Sequence, residues 1–207
     1  MLACIDYDGV IGDSIQQQIN LLVVAQKIVN SGRVPTIKDL QTVQNLTFDG
    51  LAEHIGMPEV KYPEWRSVVQ ELIRSDETEV PLFLNIDKVL RTIREKYIIV
   101  IITSNLESAV NRVLKRENLS ELVTKIYDGV SPANKTEKIL AAATEFKVNL
   151  SSVYMIGDTR SDIKHGLKAG AKTIAVTYGY QSRETLAIEK PDFYADSPSE
   201  ILTCLGL

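Results

Sequence analysis

The chain has 207 residues, 44% hydrophobic and 24% charged, which is the make-up of an ordinary folded protein and excludes a disordered or collagen-like chain. Lys and Arg number 23 against 27 Asp and Glu, a net charge of −4, and no basic run is long enough to grip nucleic acid or a membrane surface. The longest wholly apolar stretch, Tyr97 to Ile102, is far shorter than the roughly 18 residues of a membrane span.

Leu2 to Asp6 reads as a first buried strand, with Asp6-Tyr7-Asp8-Gly9 at its carboxyl end. The acid at position 6 and the lack of a basic leader argue against a signal peptide and for a cytoplasmic protein. Cys4 and Cys204, far apart and without metal-type spacing, read as reduced packing residues. The next strand of the same type begins only near Ile98, a gap too long for one crossover helix. The interval carries helical periods of its own: Ile15, Ile19, Leu22 and Val29, with Ser14 and Gln17 as a capping box; Leu40 with Val43; then Trp65, Val68, Val69, Leu72 and Ile73. An all-helical insertion over residues 15–80 is expected, leaving 1–14 and 81–207 as an α/β core.

Pro81 breaks the chain, and Ile86, Val89, Leu90, Ile93 and Tyr97 form a helix returning to the sheet. Ile98 to Thr103 lacks alternation, as a strand buried on both faces does, and Ser152 to Ile156 and Thr173 to Val176 repeat the type. Between them a helix capped by Asn134 and Glu137 presents Ile139, Leu140, Ala143 and Phe146. Ser197-Pro198-Ser199-Glu200 reads as the capping box of the last helix, with Pro at its first position. The β-α-β-α order predicts a doubly wound parallel sheet, a Rossmann-like core.

Ligands of such sheets bind at the carboxyl ends of the strands. Three polar segments fall there: Asp6-Tyr7-Asp8, Thr103-Ser104-Asn105, and Gly157-Asp158-Thr159-Arg160-Ser161-Asp162. Clustered carboxylates raise one another's pKa unless a cation intervenes, and oxygen donors without Cys or His call for a hard ion, Mg²⁺. His54 and His165 are read as packing or surface residues, His54 with the option of facing the cleft.

Asp6-Tyr7-Asp8-Gly9-Val10, then Ser104, Lys135 and Gly157-Asp158-x-x-x-Asp162, in that order, resemble the four motifs of the haloacid dehalogenase superfamily. The insertion resembles that superfamily's helical cap. Ala169-Gly170-Ala171-Lys172-Thr173, Tyr178-Gly179-Tyr180 and Pro191-Asp192 resemble its phosphoglycolate-phosphatase-like branch. The resemblance implies a phosphoric monoester hydrolase, a Mg²⁺-dependent phosphatase acting on a small phosphorylated metabolite, with neither nucleic acid nor membrane as partner and the oligomeric state open. It makes Asp6 the nucleophile and a metal ligand, and Asp8 the acid and base, with its main-chain carbonyl on the metal. Asp158 completes the metal set, with Asp162 binding directly or through water. Ser104, Asn105 and the amides after Ser104 hold phosphate, and Lys135, ahead of Lys138 in claim, pairs with the nucleophile. Thr47, Phe48 and Asp49, before Gly50, are candidates for a substrate-touching cap tip, or else an ordinary turn between helices. Tyr7, where relatives often have Phe, is expected to point away from the phosphate. A phosphosugar mutase or a phosphonate hydrolase of the same superfamily is the alternative, followed by a phospho-acceptor module or a silent binding protein.

Overall fold

The computed structural model describes residues 1–76 and 78–207. In chain order its elements are β1 (Leu2–Ile5), α1 (Ile15–Val29), α2 (Ile37–Thr42), α3 (Phe48–His54), α4 (Tyr62–Ser75), α5 (Ile86–Arg94), β2 (Ile98–Ile102), α6 (Glu107–Arg116), β3 (Lys125–Tyr127), α7 (Lys135–Glu145), β4 (Val153–Gly157), α8 (Arg160–Ala169), β5 (Lys172–Val176), α9 (Arg183–Ala187), β6 (Phe193–Ala195) and α10 (Glu200–Leu205).

All six strands are parallel, in the order β3-β2-β1-β4-β5-β6. Successive side chains of β1 serve opposite faces, as the pleat requires. Ala3 and Ile5 join Leu90, Ile93 and Val110 from α5 and α6, while Leu2 and Cys4 join Ile139, Ala142 and Met155 beneath α7 and α8. β1 pairs with β2 on one side (Ile5↔Ile101) and β4 on the other (Ile5↔Ile156), so Asp6, Thr103 and Asp158 emerge at nearly one level. The winding reverses between β1 and β4, which is where a doubly wound sheet opens its ligand crevice.

Helices α1 to α4 form a hydrophobic cluster separate from the sheet, around Trp65, Leu22, Leu51, Ala52, Ile55 and Val69. No helix among the described residues is long and apolar enough to cross a membrane. Both cysteines are free, Cys4 buried and Cys204 half-buried.

Several local expectations need correction. Ser14 does not cap α1: its hydroxyl bonds Asp8 and Tyr180 instead, and Gln17 reaches Asp76, at 2.6 Å. The last helix starts at Glu200, two residues later than expected, because Glu200 accepts from the Ser197 hydroxyl and the Asp196 amide within a preceding turn that contains Pro198. Leu140 is exposed, and the buried stripe of α7 runs through Ile139, Ala142 and Ala143. Strands β3 and β6, three residues each at the two edges of the sheet, are additions.

Candidate active site

Asp6 sits immediately beyond β1, its amide bonded to the Ile156 carbonyl. One carboxylate oxygen accepts from the Tyr7 amide at 2.8 Å and the other from Lys135 Nζ at 2.6 Å. Lys135 is the first residue of α7, fixed there by the Asn134–Glu137 capping box, and its Nζ also donates to Asp162 at 2.5 Å. Lys138, one turn on, points instead to the carbonyls of Asp128 (2.6 Å) and Thr103 (3.4 Å). Helical spacing thus separates the two lysines, and the one at the helix start reaches the carboxylates.

Asp162 holds its place through a second capping box: Thr159 at the N-cap of α8 donates its amide and hydroxyl to Asp162 Oδ2. Asp158 Oδ2 accepts from the Tyr180 amide at 2.7 Å, whereas Asp158 Oδ1 is buried with no partner. Two glycines leave room for this carboxylate. A Cβ on Gly9, whose φ is +75°, would lie 1.9 Å from Asp158 Oδ2, and one on Gly179 would lie 2.4 Å from Asp158 Cβ.

Asp8 has partners of its own, none of them in that cluster. Its carboxylate accepts from the Ser14 hydroxyl at 2.7 Å and, more weakly, from Asn105 Nδ2 at 3.4 Å. With Ser14's single proton given to Asp8, the Tyr180 hydroxyl, 2.7 Å from Ser14 Oγ, must donate to Ser14. The chain Tyr180–Ser14–Asp8 was not legible in sequence, because it joins residues 166 positions apart. Tyr7 packs its ring into the core, away from the carboxylates.

Asp6, Asp158 and Asp162 each offer an oxygen within 4.8 Å of the others. Burial pushes the Asp6 carboxyl up to about 7, with Asp162 and Asp8 adding to the rise and Lys135 opposing it. Burial, then Asp162 and Asp6, lifts Asp158 well above the usual carboxylate range. Asp8 is raised by burial, against its bonds to Ser14 and Asn105. Burial disfavours the Lys135 ammonium, but Asp162 and Asp6 more than offset it and keep the lysine charged. Ionised together, the three carboxylates would outweigh the one ammonium by two negative charges in a buried space, which is why their pKa values rise. That charge deficit, the oxygen-only donors and the orphaned Asp158 Oδ1 fit a hard divalent cation.

A cavity of about 400 Å³ opens over this cluster. Asp6, Asp8, Ser104, Lys135 and Asp158 line its core side, and Thr47 and Phe48 line the facing side. Other expected positions fall elsewhere. Asp49 pairs with Arg66 on the outer surface, since consecutive helical residues project about 100° apart. Asn105 turns to Asp8, and the amides after Ser104 are already engaged: Asn105 N–H by Thr103 Oγ1 and Leu106 N–H by Asn105 Oδ1. His54 bonds Asp39 within the helical segment and does not face the cavity, and His165 bonds Thr136. Asp192 accepts from the amide and hydroxyl of Thr173 and so fastens the start of β5, away from the carboxylates.

A family model described as haloacid dehalogenase-like hydrolase matches residues 4–176. A Clostridium perfringens protein bearing the name of a pyrophosphatase, PpaX, is 34% identical over 130 residues, 61% of this chain and 61% of that one. The phosphoglycolate phosphatase of Vibrio parahaemolyticus is 23% identical over all of this chain and 96% of its own length. Among solved structures, a haloacid dehalogenase-like family hydrolase from Streptococcus pneumoniae has the same fold, with a TM-score of 0.84 at 20% identity, covering 98% of this chain and 97% of that one.

Proposed function

The chain belongs to the haloacid dehalogenase-like hydrolase family, and we propose that it is a Mg²⁺-dependent phosphatase that hydrolyses a small phosphomonoester through an aspartyl-phosphate on Asp6. The observation that supports this most directly is the Asp6 carboxylate at the floor of the cavity, held by Lys135, with Asp8 separately oriented beside it. Asp6 attacks phosphorus, and the bond from phosphorus to the ester oxygen breaks. Asp8 gives its proton to that leaving oxygen; burial, which favours its protonated form, suits the task. The resulting Asp8 carboxylate then takes a proton from water, whose oxygen attacks phosphorus and frees Asp6 and inorganic phosphate. Lys135 stays charged throughout and offsets the negative charge on Asp6 and the transferring group. Ser104, on the cavity wall, offers its hydroxyl to a phosphoryl oxygen.

Mg²⁺ would be held by the carboxylates of Asp6 and Asp158 and the main-chain carbonyl of Asp8, with Asp162 in support, and would supply charge neutralisation at the phosphoryl oxygens. Residues 15–80 we take as a cap over residues 1–14 and 81–207, with Thr47 and Phe48 on its substrate-facing side.

The test is phosphate release from a panel of monoesters, combined with acid-quenched mass spectrometry. The parent is expected to turn over and to carry one trapped phosphoryl group on the peptide containing Asp6. Asp6→Asn is expected to lose both, with turnover down about 10⁴-fold or more. A folded Asp6→Asn variant, free of deamidation, that turns over like the parent contradicts the assignment.

A further inference from the structure

The wall of the cavity opposite the carboxylates is apolar. Leu22, Leu40, Leu46, Phe48 and Leu51 line it, and the polar side chains among them, Gln18 and Thr47, are neutral. Leu22, Leu40 and Leu51 are fixed in the buried cluster of the helical segment, while Leu46 and Phe48 are half-buried and keep surface free for a ligand. Among the described residues Lys135 is the one cationic side chain lining the cavity, and Asp6 and Asp162 already engage it.

The helical segment has cations, but they lie elsewhere. None of Lys27, Arg33, Lys38, Lys61, Arg66 and Arg74 lines the cavity, and Arg33, Lys61 and Arg66 are held by Asp39, Glu64 and Asp49. Arg160, at the start of α8, is likewise taken, by Glu189 and Gln44. A leaving group bearing its own anion would therefore lose water against leucine and phenylalanine without gaining a countercharge. An uncharged chain would bury apolar surface there at no such cost.

We propose that this site selects phosphomonoesters whose leaving group is uncharged and presents apolar surface, and discriminates against those carrying a carboxylate or a second phosphate. The inference rests on the phosphatase reading of the same site. It departs from what the relatives' names imply for them, since phosphoglycolate carries a carboxylate and pyrophosphate a second phosphate.

A matched pair of esters tests it: n-butyl phosphate and the phosphate monoester of γ-hydroxybutyrate, which has the same four-carbon length with carboxylate in place of the terminal methyl. The parent enzyme with Mg²⁺ is expected to favour butyl phosphate by about 10-fold or more in kcat/KM, the scale of one or two pocket contacts. Leu46→Lys, a half-buried position on the cavity wall, is expected to reduce that preference by about 5-fold or more by supplying the missing cation. Equal rates, or preference for the carboxylate ester, in the parent overturn the inference while leaving the phosphatase reading intact. Release of phosphate from neither ester counts against the phosphatase reading itself. The parent comparison decides the matter even where Leu46→Lys fails to fold.

Discussion

At the scale of single residues, the separation of Asp6 from Asp8 is what would let two acids take the two tasks proposed for them. Asp6 accepts from an ammonium and a main-chain amide, and Lys135 opposes the rise that burial imposes on it, while Asp8 accepts from a hydroxyl and a side-chain amide and has no ammonium bonded to it. Ser14→Ala removes Asp8's shortest hydrogen bond and is expected to lower kcat about 10-fold with little change in KM, since the substrate is not touched. Tyr180→Phe reaches Asp8 only through Ser14, so its effect should largely vanish in the Ser14→Ala background; additive losses in that double-mutant cycle would break the proposed chain. Asp158 argues a second expectation. Saturating Mg²⁺ should raise Tm by about 5 °C or more, as mass action at about 100-fold over Kd gives for a chain of this size. Asp158→Asn should abolish most of that shift, and a melt in which the variant responds like the parent would place the ion elsewhere. The acids are legible in sequence because they follow runs that read as strands, whereas Tyr180 figures there only in a family-like segment with no role and Ser14 reads as a helix cap. A hydroxyl's partner is chosen by three-dimensional proximity, and the helix-capping alternative for Ser14 was equally well formed in one dimension.

At the scale of elements, the buried strands β1, β2, β4 and β5 are legible as runs without alternation, since both faces are covered by helices. Edge strands β3 and β6 are three residues long and carry exposed Lys125 and Phe193, so neither length nor patterning distinguishes them from loop. The capping box of α7 is legible in sequence because Asn134 and Glu137 have no competing partner there. The helical segment holds an ion pair of its own, with only the acid buried: Asp39, at the start of α2, accepts from the Arg33 guanidinium and from the amide and hydroxyl of Thr36. Arg33's bond first, and then those from Thr36, hold the Asp39 carboxyl below the usual range against the cost of its burial. A depressed folded-state pKa contributes stability that is present above the unfolded value, near 3.9, and is lost as pH falls through the folded value. Arg33 is half exposed, so the pair is worth only about 1 kcal/mol. Asp39→Asn should accordingly lower Tm by about 2–4 °C at pH 7, with the difference persisting down to about pH 4 and shrinking below it. A Tm gap between variant and parent that stays constant through the acid range would show that the pair's charge is irrelevant.

At the scale of the whole molecule, the question is what holds the helical segment over the sheet, because water must be kept from the phosphoryl group while the ester is seated. The two chain connections, near residues 14 and 80, lie on one side, where the Asp13 amide donates to the Pro81 carbonyl at 2.8 Å. On the other side the last turn of α2 and the loop that follows it are fastened to the core by polar bonds. Arg160 donates to the Gln44 carbonyl at 3.0 Å and to its side chain, Gln181 donates to the Val43 carbonyl at 2.7 Å, and the Ser182 amide and Thr185 hydroxyl donate to the Gln41 carbonyl. Glu189 and the Arg160 amide's bond to Gln181 Oε1 keep the donors in place. These contacts join the two parts next to Leu46, Thr47 and Phe48, so they fix the height of the cavity's apolar wall above Asp6. Loosening this junction has a specific physical consequence. Arg160→Ala removes a charged donor from this junction and leaves the Ser182 and Thr185 bonds in place. Hydrogen exchange of the amides in residues 41–52 should quicken about 10-fold, the effect of one charge-assisted bond discounted for partial exposure. KM should rise while single-turnover phosphorylation of Asp6 at saturation changes less, because Asp6, Asp8 and Lys135, proposed to transfer the phosphoryl group, are held by bonds outside the α2–α3 region. Unaltered exchange over 41–52 would mean that the apolar contacts of the segment, rather than this polar junction, hold it closed.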